Sequence, residues 1–165
     1  MFYPAQFNAI GTLPRQVFGN PINRVAHRAD VVRLEKLIEH GGIYLDCDVL
    51  VQRNFDDLLD NKFVLGQEGV EAAHGLSNAI MLSKPAASFP RRWYEEYRSF
   101  RGDQSWTEHS IQLPLRLSRQ FPQELTILPY SAFVWPLHYE EHILWIFEPN
   151  QPPIVEGAYE TFVGI

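Results

Sequence analysis

With 165 residues, 45% hydrophobic and 21% charged, the chain has ordinary globular composition and the length of one domain with its own core. Its formal net charge of −6, with no basic stripe, argues against a nucleic-acid partner, because phosphate backbones select the opposite sign; a carboxylate-rich site that recruits a cation suits this balance. One cysteine, Cys47, excludes an internal disulfide and a zinc–thiolate cluster, and no apolar run approaches the roughly 20 residues of a membrane helix, so the residues given read as soluble.

Residues 1–28 are punctuated by Pro4, Gly11, Pro14, Gly19 and Pro21 and read as loop, and Met1-Phe2-Tyr3-Pro4 lacks the charged and apolar regions of a signal peptide. From Ala29 the period becomes helical. Val31, Leu34, Leu37 and Ile38 recur on one side, Arg33, Glu35, Lys36 and Glu39 on the other, and Gly41-Gly42 supplies the stop and the turn. The period then drops to two: Ile43, Leu45, Cys47, Val49 and Val51 alternate with Tyr44, Asp46, Asp48, Leu50 and Gln52. The first set is apolar and is expected in the core, with Cys47 as a small buried side chain. Asn54 is placed to cap a short helix over 55–60.

Strands are expected at 62–66, 79–82 and 125–128, and helices at 88–100, 106–121 (interrupted at Pro114) and 140–147; Pro149, Pro152 and Pro153 then break regular structure. Strands alternating with helices predict an α/β fold in a single domain over 1–165, with an irregular segment 1–28, a core 29–148 and a Pro-rich tail 149–165.

The informative stretch is Gly41-Gly42-Ile43-Tyr44-Leu45-Asp46-Cys47-Asp48. If the alternation persists, Asp46 and Asp48 leave one face together with Tyr44, roughly 6.5–7 Å apart along the strand, a gap that a cation and its waters bridge. Two hard carboxylates suit Mn²⁺ or Mg²⁺, which also accept phosphate oxygens and act as Lewis acids on a diphosphate leaving group. Taken by itself, an Asp-x-Asp in a loop is usually a solvated or helix-capping pair. Its place directly after an apolar strand favours the metal, since unpaired carboxylates there serve no packing.

His27-Arg28-Ala29-Asp30, then Arg33, then the Gly-Gly-Ile-Tyr turn and Asp46-Cys47-Asp48, resembles the DXD-containing sugar-transferase family. That family includes initiating α-1,6-mannosyltransferases and α-1,4-galactosyltransferases. The resemblance runs from about Ala26 to Leu59 and continues weakly through Ser77-Asn78-Ala79-Ile80-Met81 and the helix from Phe89. It implies a GT-A-type fold, a Rossmann-like mixed sheet flanked by helices, with a UDP- or GDP-activated sugar donor, a glycan or glycolipid acceptor and retention at the anomeric carbon. It also implies a Golgi or other secretory-pathway lumen. By position, Asp48 corresponds to the main metal ligand and Asp46 to a contact with the ribose or a metal-bound water. Asp30 and Arg33 line or brace the nucleotide-sugar pocket; their bland alternative is a surface i,i+3 ion pair. Tyr44 packs on the nucleotide or lines the core.

Trp106, Glu108 and His109 fall where the acceptor side of such enzymes lies; a helix-start aromatic facing the core is the simpler alternative for the first. The family's first strand is not recognisable before Asp30, and its late His near a Trp is missing, which gives the expectation of a chain shortened at both ends. His138 or His142, beside Trp135 and Trp145, are substitutes for that His or packed ring residues. Two other readings remain. One is a non-catalytic remnant that binds a nucleotide or partner. The other is a haloacid-dehalogenase-like phosphatase, with Asp46 as nucleophile, Asp48 as general acid and Ser83-Lys84-Pro85 as a lysine motif.

Overall fold

The computed structural model describes residues 13–102, 105, 107–137, 139, 140, 142, 144 and 158–162. The helical stripe extends a turn earlier than its first apolar residues suggest, forming α1 (Val25–His40), with Val31, Leu34 and Leu37 buried. It stops at Gly41, whose φ is 67° and where a Cβ would lie 2.7 Å from Pro85 N, so the turn and the close approach both require glycine.

Four strands form the central sheet: β3 (Gly42–Leu45), β5 (Phe63–Gln67), β6 (Leu76–Ser83) and β7 (Thr126–Leu128), in the order β3-β6-β5-β7. β6 runs antiparallel to β3 and β5, and β7 runs parallel to β5. This is the expected class, a mixed sheet flanked by helices in an α/β architecture. Alternation sorts the faces. Phe63, Leu65 and Met81 join the cluster with α1, α2 (Ser88–Glu95) and α3 (Leu113–Gln120), around Trp93, Tyr97 and Phe100. Val64, Ile80 and Leu82 join Phe55, Leu58, Tyr159 and Phe133 of α4 (Tyr130–Phe133). β6 is buried at every position because strands flank it and side chains cover both faces.

α4 reaches the sheet across a glycine. β5 is irregular between Leu65 and Gly66, and a Cβ on Gly66 would lie 2.6 Å from Phe133 Cβ. Gly66→Ala is expected to destabilise the protein by about 1–3 kcal/mol, the usual cost of overpacking. Calorimetric melting checks this; an unchanged melting temperature would mean that α4 shifts without cost.

The period-two reading of 43–51 is corrected in its middle. β3 ends at Leu45, a turn follows, and β4 (Val49–Val51) pairs antiparallel with β8 (Glu160–Phe162) in a separate two-stranded sheet. Ile43, Leu45 and Val51, assigned to the core, are 42%, 37% and 41% exposed, and Cys47 is exposed. Tyr44 instead packs against the helix-side cluster. Alternation separates two faces of a strand but does not say which one a neighbour covers, and β3 is an edge strand.

Other elements fall where loop or tail was expected. β1 (Gln16–Val17) and β2 (Asn20–Pro21) form a hairpin around Phe18-Gly19, both at positive φ, and bury Val17 and Ile22. β8 lies within the residues read as a tail. The helix read over 106–121 becomes a π-turn, Glu108–Gln112, leading into α3. Pro114 has no N–H to return to the Ser110 carbonyl, so the chain widens before α3 begins rather than kinking within it. Asn54 Oδ1 accepts from the Asp56 N–H at 3.3 Å at the short helix Asp56–Leu58. Most of 140–147 lies outside the described residues. Among the described residues no helix is long and apolar enough to cross a membrane.

Candidate functional site

Asp46 is the last residue that the sheet holds. Its N–H donates to the Ala79 carbonyl at 2.9 Å, and its own carbonyl accepts from the Val49 N–H at 3.2 Å, closing a four-residue turn over Asp46-Cys47-Asp48-Val49. The two carboxylates are therefore joined across a turn and are not neighbours on one strand face, which replaces the expected strand spacing. Asp46 and Asp48 are both half-buried.

Behind the turn stands one face of α1. Asp30 and Arg33, one turn apart, are 8% and 7% exposed, so they do not form the surface ion pair offered as their bland alternative. Arg33 Nη1 donates to the Asn78 carbonyl at 2.7 Å and lies 3.2 Å from Asp46 Oδ1, and its Nη2 lies 3.5 Å from Asp30 Oδ1. The guanidinium sits 4.6 Å over the Tyr44 ring, and the Tyr44 hydroxyl donates to Asp46 Oδ1 at 2.6 Å. Asn78 Nδ2 donates to Asp30 Oδ1 at 2.7 Å. Burial raises the Asp30 carboxyl above its usual range; Arg33, Asn78 and His27 pull it back. Burial likewise raises the Tyr44 hydroxyl against the pull of Arg33, so it remains a donor toward Asp46.

A cleft of about 210 Å³ opens onto this network between α1 (Ala26, His27), Asp46, Asn78 of β6, and Ser110 and Ile111 of the π-turn. That is below the ~300–1,000 Å³ of ordinary ligand pockets, so it would take one portion of an extended ligand. Two carboxylates on a turn suit a hard divalent cation that keeps waters and accepts phosphate oxygens. They do not suit a cage of protein ligands: among the described residues no group of three or more His, Cys, Asp and Glu side chains converges.

The weaker candidates separate. Glu108 is exposed at the start of the π-turn. His109 turns into the core, 5.1 Å from the Tyr97 ring and 5.2 Å from Phe100, with its carbonyl accepting from Trp93 Nε1 at 2.7 Å; burial lowers its imidazole. The cleft wall there is Ser110 and Ile111. His142 packs 4.3 Å from the Trp135 ring and accepts from the Leu137 N–H at 3.3 Å. Trp106 and His138 lie outside the described residues. Lys84 fails the phosphatase reading: Ser83 pairs with Gly42 at the far end of β3 from Asp46, about 13 Å along the strand, and Lys84 faces Asp60 at 3.9 Å.

Asn78 and Ser110 were not singled out in the sequence. The available signal was a Ser-Asn pair inside the otherwise apolar run 76–82, where a buried polar residue needs a partner.

Residues 15–65 match the family described as glycosyltransferase sugar-binding region containing DXD motif, a span that includes Asp30, Arg33, Tyr44, Asp46 and Asp48. The chain is 38% identical over 145 residues to glucan organizing enzyme 1 of Cryptococcus neoformans var. grubii, covering 84% of this chain and 39% of that protein. It is 29% identical over 116 residues to an uncharacterized protein of Arabidopsis thaliana, covering 65% of this chain and 18% of that protein. The chain thus spans well under half the length of either relative. It is glycosyltransferase-like, with the DXD motif at Asp46-Cys47-Asp48.

Proposed function

We propose, from the premise that this is a glycosyltransferase-like chain, that it serves a metal-dependent transfer of a sugar from a UDP- or GDP-linked donor to a glycan or lipid acceptor. The observation that carries the reading is the cleft against Asp46, with a buried arginine on its wall and the Asp46–Val49 turn at its edge. Asp48 is assigned to hold Mn²⁺ or Mg²⁺. Asp46, steadied by Arg33 and Tyr44, is assigned to orient a ribose hydroxyl or a metal-bound water. The cation supplies Lewis-acid neutralisation of the diphosphate. Arg33 supplies a fixed positive charge whose position costs no reorganisation when the donor arrives. Asp30 braces Arg33 from within the helix. Retention at the anomeric carbon and work in a secretory compartment belong to the same proposal.

Calorimetry with UDP-glucose and GDP-mannose, with and without Mn²⁺, tests it. Binding of one donor only with metal present is the expected result. Metal-dependent binding without transfer to any acceptor would favour a non-catalytic module, and no binding in either condition would end the proposal.

A further inference from the structure

Arg33 offers one guanidinium to two carboxylates. Asp30 is nearly buried, while the Asp46 side chain is 29% exposed. Attraction is stronger and less screened in the drier setting, so charge alone would draw Arg33 onto Asp30 and away from Asp46. The guanidinium is instead shared, with Nη2 at 3.5 Å from Asp30 and Nη1 at 3.2 Å from Asp46.

Asn78 touches both sides of this sharing. Its side-chain amide donates to Asp30 Oδ1 at 2.7 Å, supplying the buried carboxylate with one hydrogen bond, and its backbone carbonyl accepts from Arg33 Nη1 at 2.7 Å, holding that nitrogen on the Asp46 side. Both bonds come from one residue of β6, the strand whose next residue, Ala79, accepts from the Asp46 N–H. Helix and turn are thereby referenced to a common point.

We propose that Asn78 is a positioning residue: by occupying Asp30 it assigns Arg33 to Asp46, and so sets the charge that a nucleotide diphosphate and its cation meet at the turn. This rests on the donor-binding reading of the site. Removing the amide leaves Asp30 short of a donor, and Arg33 turns toward it. The Asp46 contacts, at 3.2 and 3.4 Å, are longer than the carbonyl bond and give way first. Asp46 then loses its neutralising partner.

The consequence is a pair of opposite shifts in Asn78→Ala. UDP- or GDP-sugar affinity in saturating Mn²⁺ falls about ten-fold, as expected for a displaced hydrogen bond to a charged group. Affinity for Mn²⁺ alone rises about two- to five-fold, because a half-exposed carboxylate has been released from a cation. Asn78→Val keeps a side chain of comparable volume suited to a strand and removes the donor without adding a charge; it gives the same pair of shifts if the alanine variant folds poorly. Calorimetry reads both affinities, and a crystal structure of the variant reads the Arg33–Asp46 distance, which is expected to open beyond hydrogen-bonding range. Equal losses in both affinities, or an Arg33 still seated on Asp46, would overturn the assignment. A wild-type protein that binds neither donor would defeat the donor reading, while the position of Arg33 in the variant would still decide the role of Asn78.

Discussion

Asp48→Asn is expected to abolish metal-dependent nucleotide-sugar binding while leaving the fold intact. The substitution preserves side-chain volume and touches a half-buried residue in the Asp46–Val49 turn, outside both hydrophobic clusters. Such changes usually stay within about 0.5 kcal/mol of wild type. Binding is different. The site has two carboxylates, and both oxygens of Asp46 already face Arg33, one of them also Tyr44. On the proposed reading, Asp48 then carries most of the attraction for a hard cation. Mutations to groups behind a metal ligand commonly cost about 10–100-fold in metal affinity, and removal of a ligand itself is expected to exceed that. Calorimetry in Mn²⁺ beside a melting curve separates the effects. Unchanged binding would remove Asp48 from the mechanism, and a collapsed melting temperature would make the turn a structural element.

The largest stability effect is expected at Arg33. Arg33→Met keeps much of the aliphatic volume but strands a buried Asp30 that Asn78 alone cannot compensate, and it takes the counter-charge from Asp46. Breaking a buried pair from one side costs about 3–5 kcal/mol, against about 1 kcal/mol or less for an exposed pair. Urea denaturation distinguishes the two magnitudes, and a loss under about 1 kcal/mol would contradict the burial seen here. Asp30→Asn combined with Arg33→Met should recover much of the deficit, since no unpaired charge then remains inside. The pH dependence has a defined sign. Burial raises Asp30 and Arg33 opposes that rise. Removing Arg33 therefore raises it further, and a carboxyl raised in the folded state favours folding when protonated. The deficit of Arg33→Met should shrink as pH falls toward the ordinary carboxylate range and grow again on return to neutrality.

Much of the framework was legible because local periodicity reports it. The 3.6-residue spacing of Val31, Leu34 and Leu37 marks α1, and Gly41-Gly42 marks its end. Phe63 and Leu65 alternate with Val64 across a sheet covered on both sides. The site was legible in part. Tyr44 and Asp46 stand out by alternation, Asp30 and Arg33 only through the family resemblance, and the structure gathers the four around one guanidinium. Asn78 did not stand out, because its significance is a contact with α1 across 48 residues of sequence.

The sequence by itself determined that a helix and a glycine turn would lead into a short strand ending at Asp46-Cys47-Asp48, since spacing and turn chemistry act over a few neighbours. Only the tertiary structure decided which face of β3 is covered, that Cys47 is exposed while Asp30 is not, and that Arg33 lies against Asp46. Those outcomes depend on which distant elements arrive against each face. Burial, and with it the strength of every charge interaction, is a property of that arrival and not of the local chain.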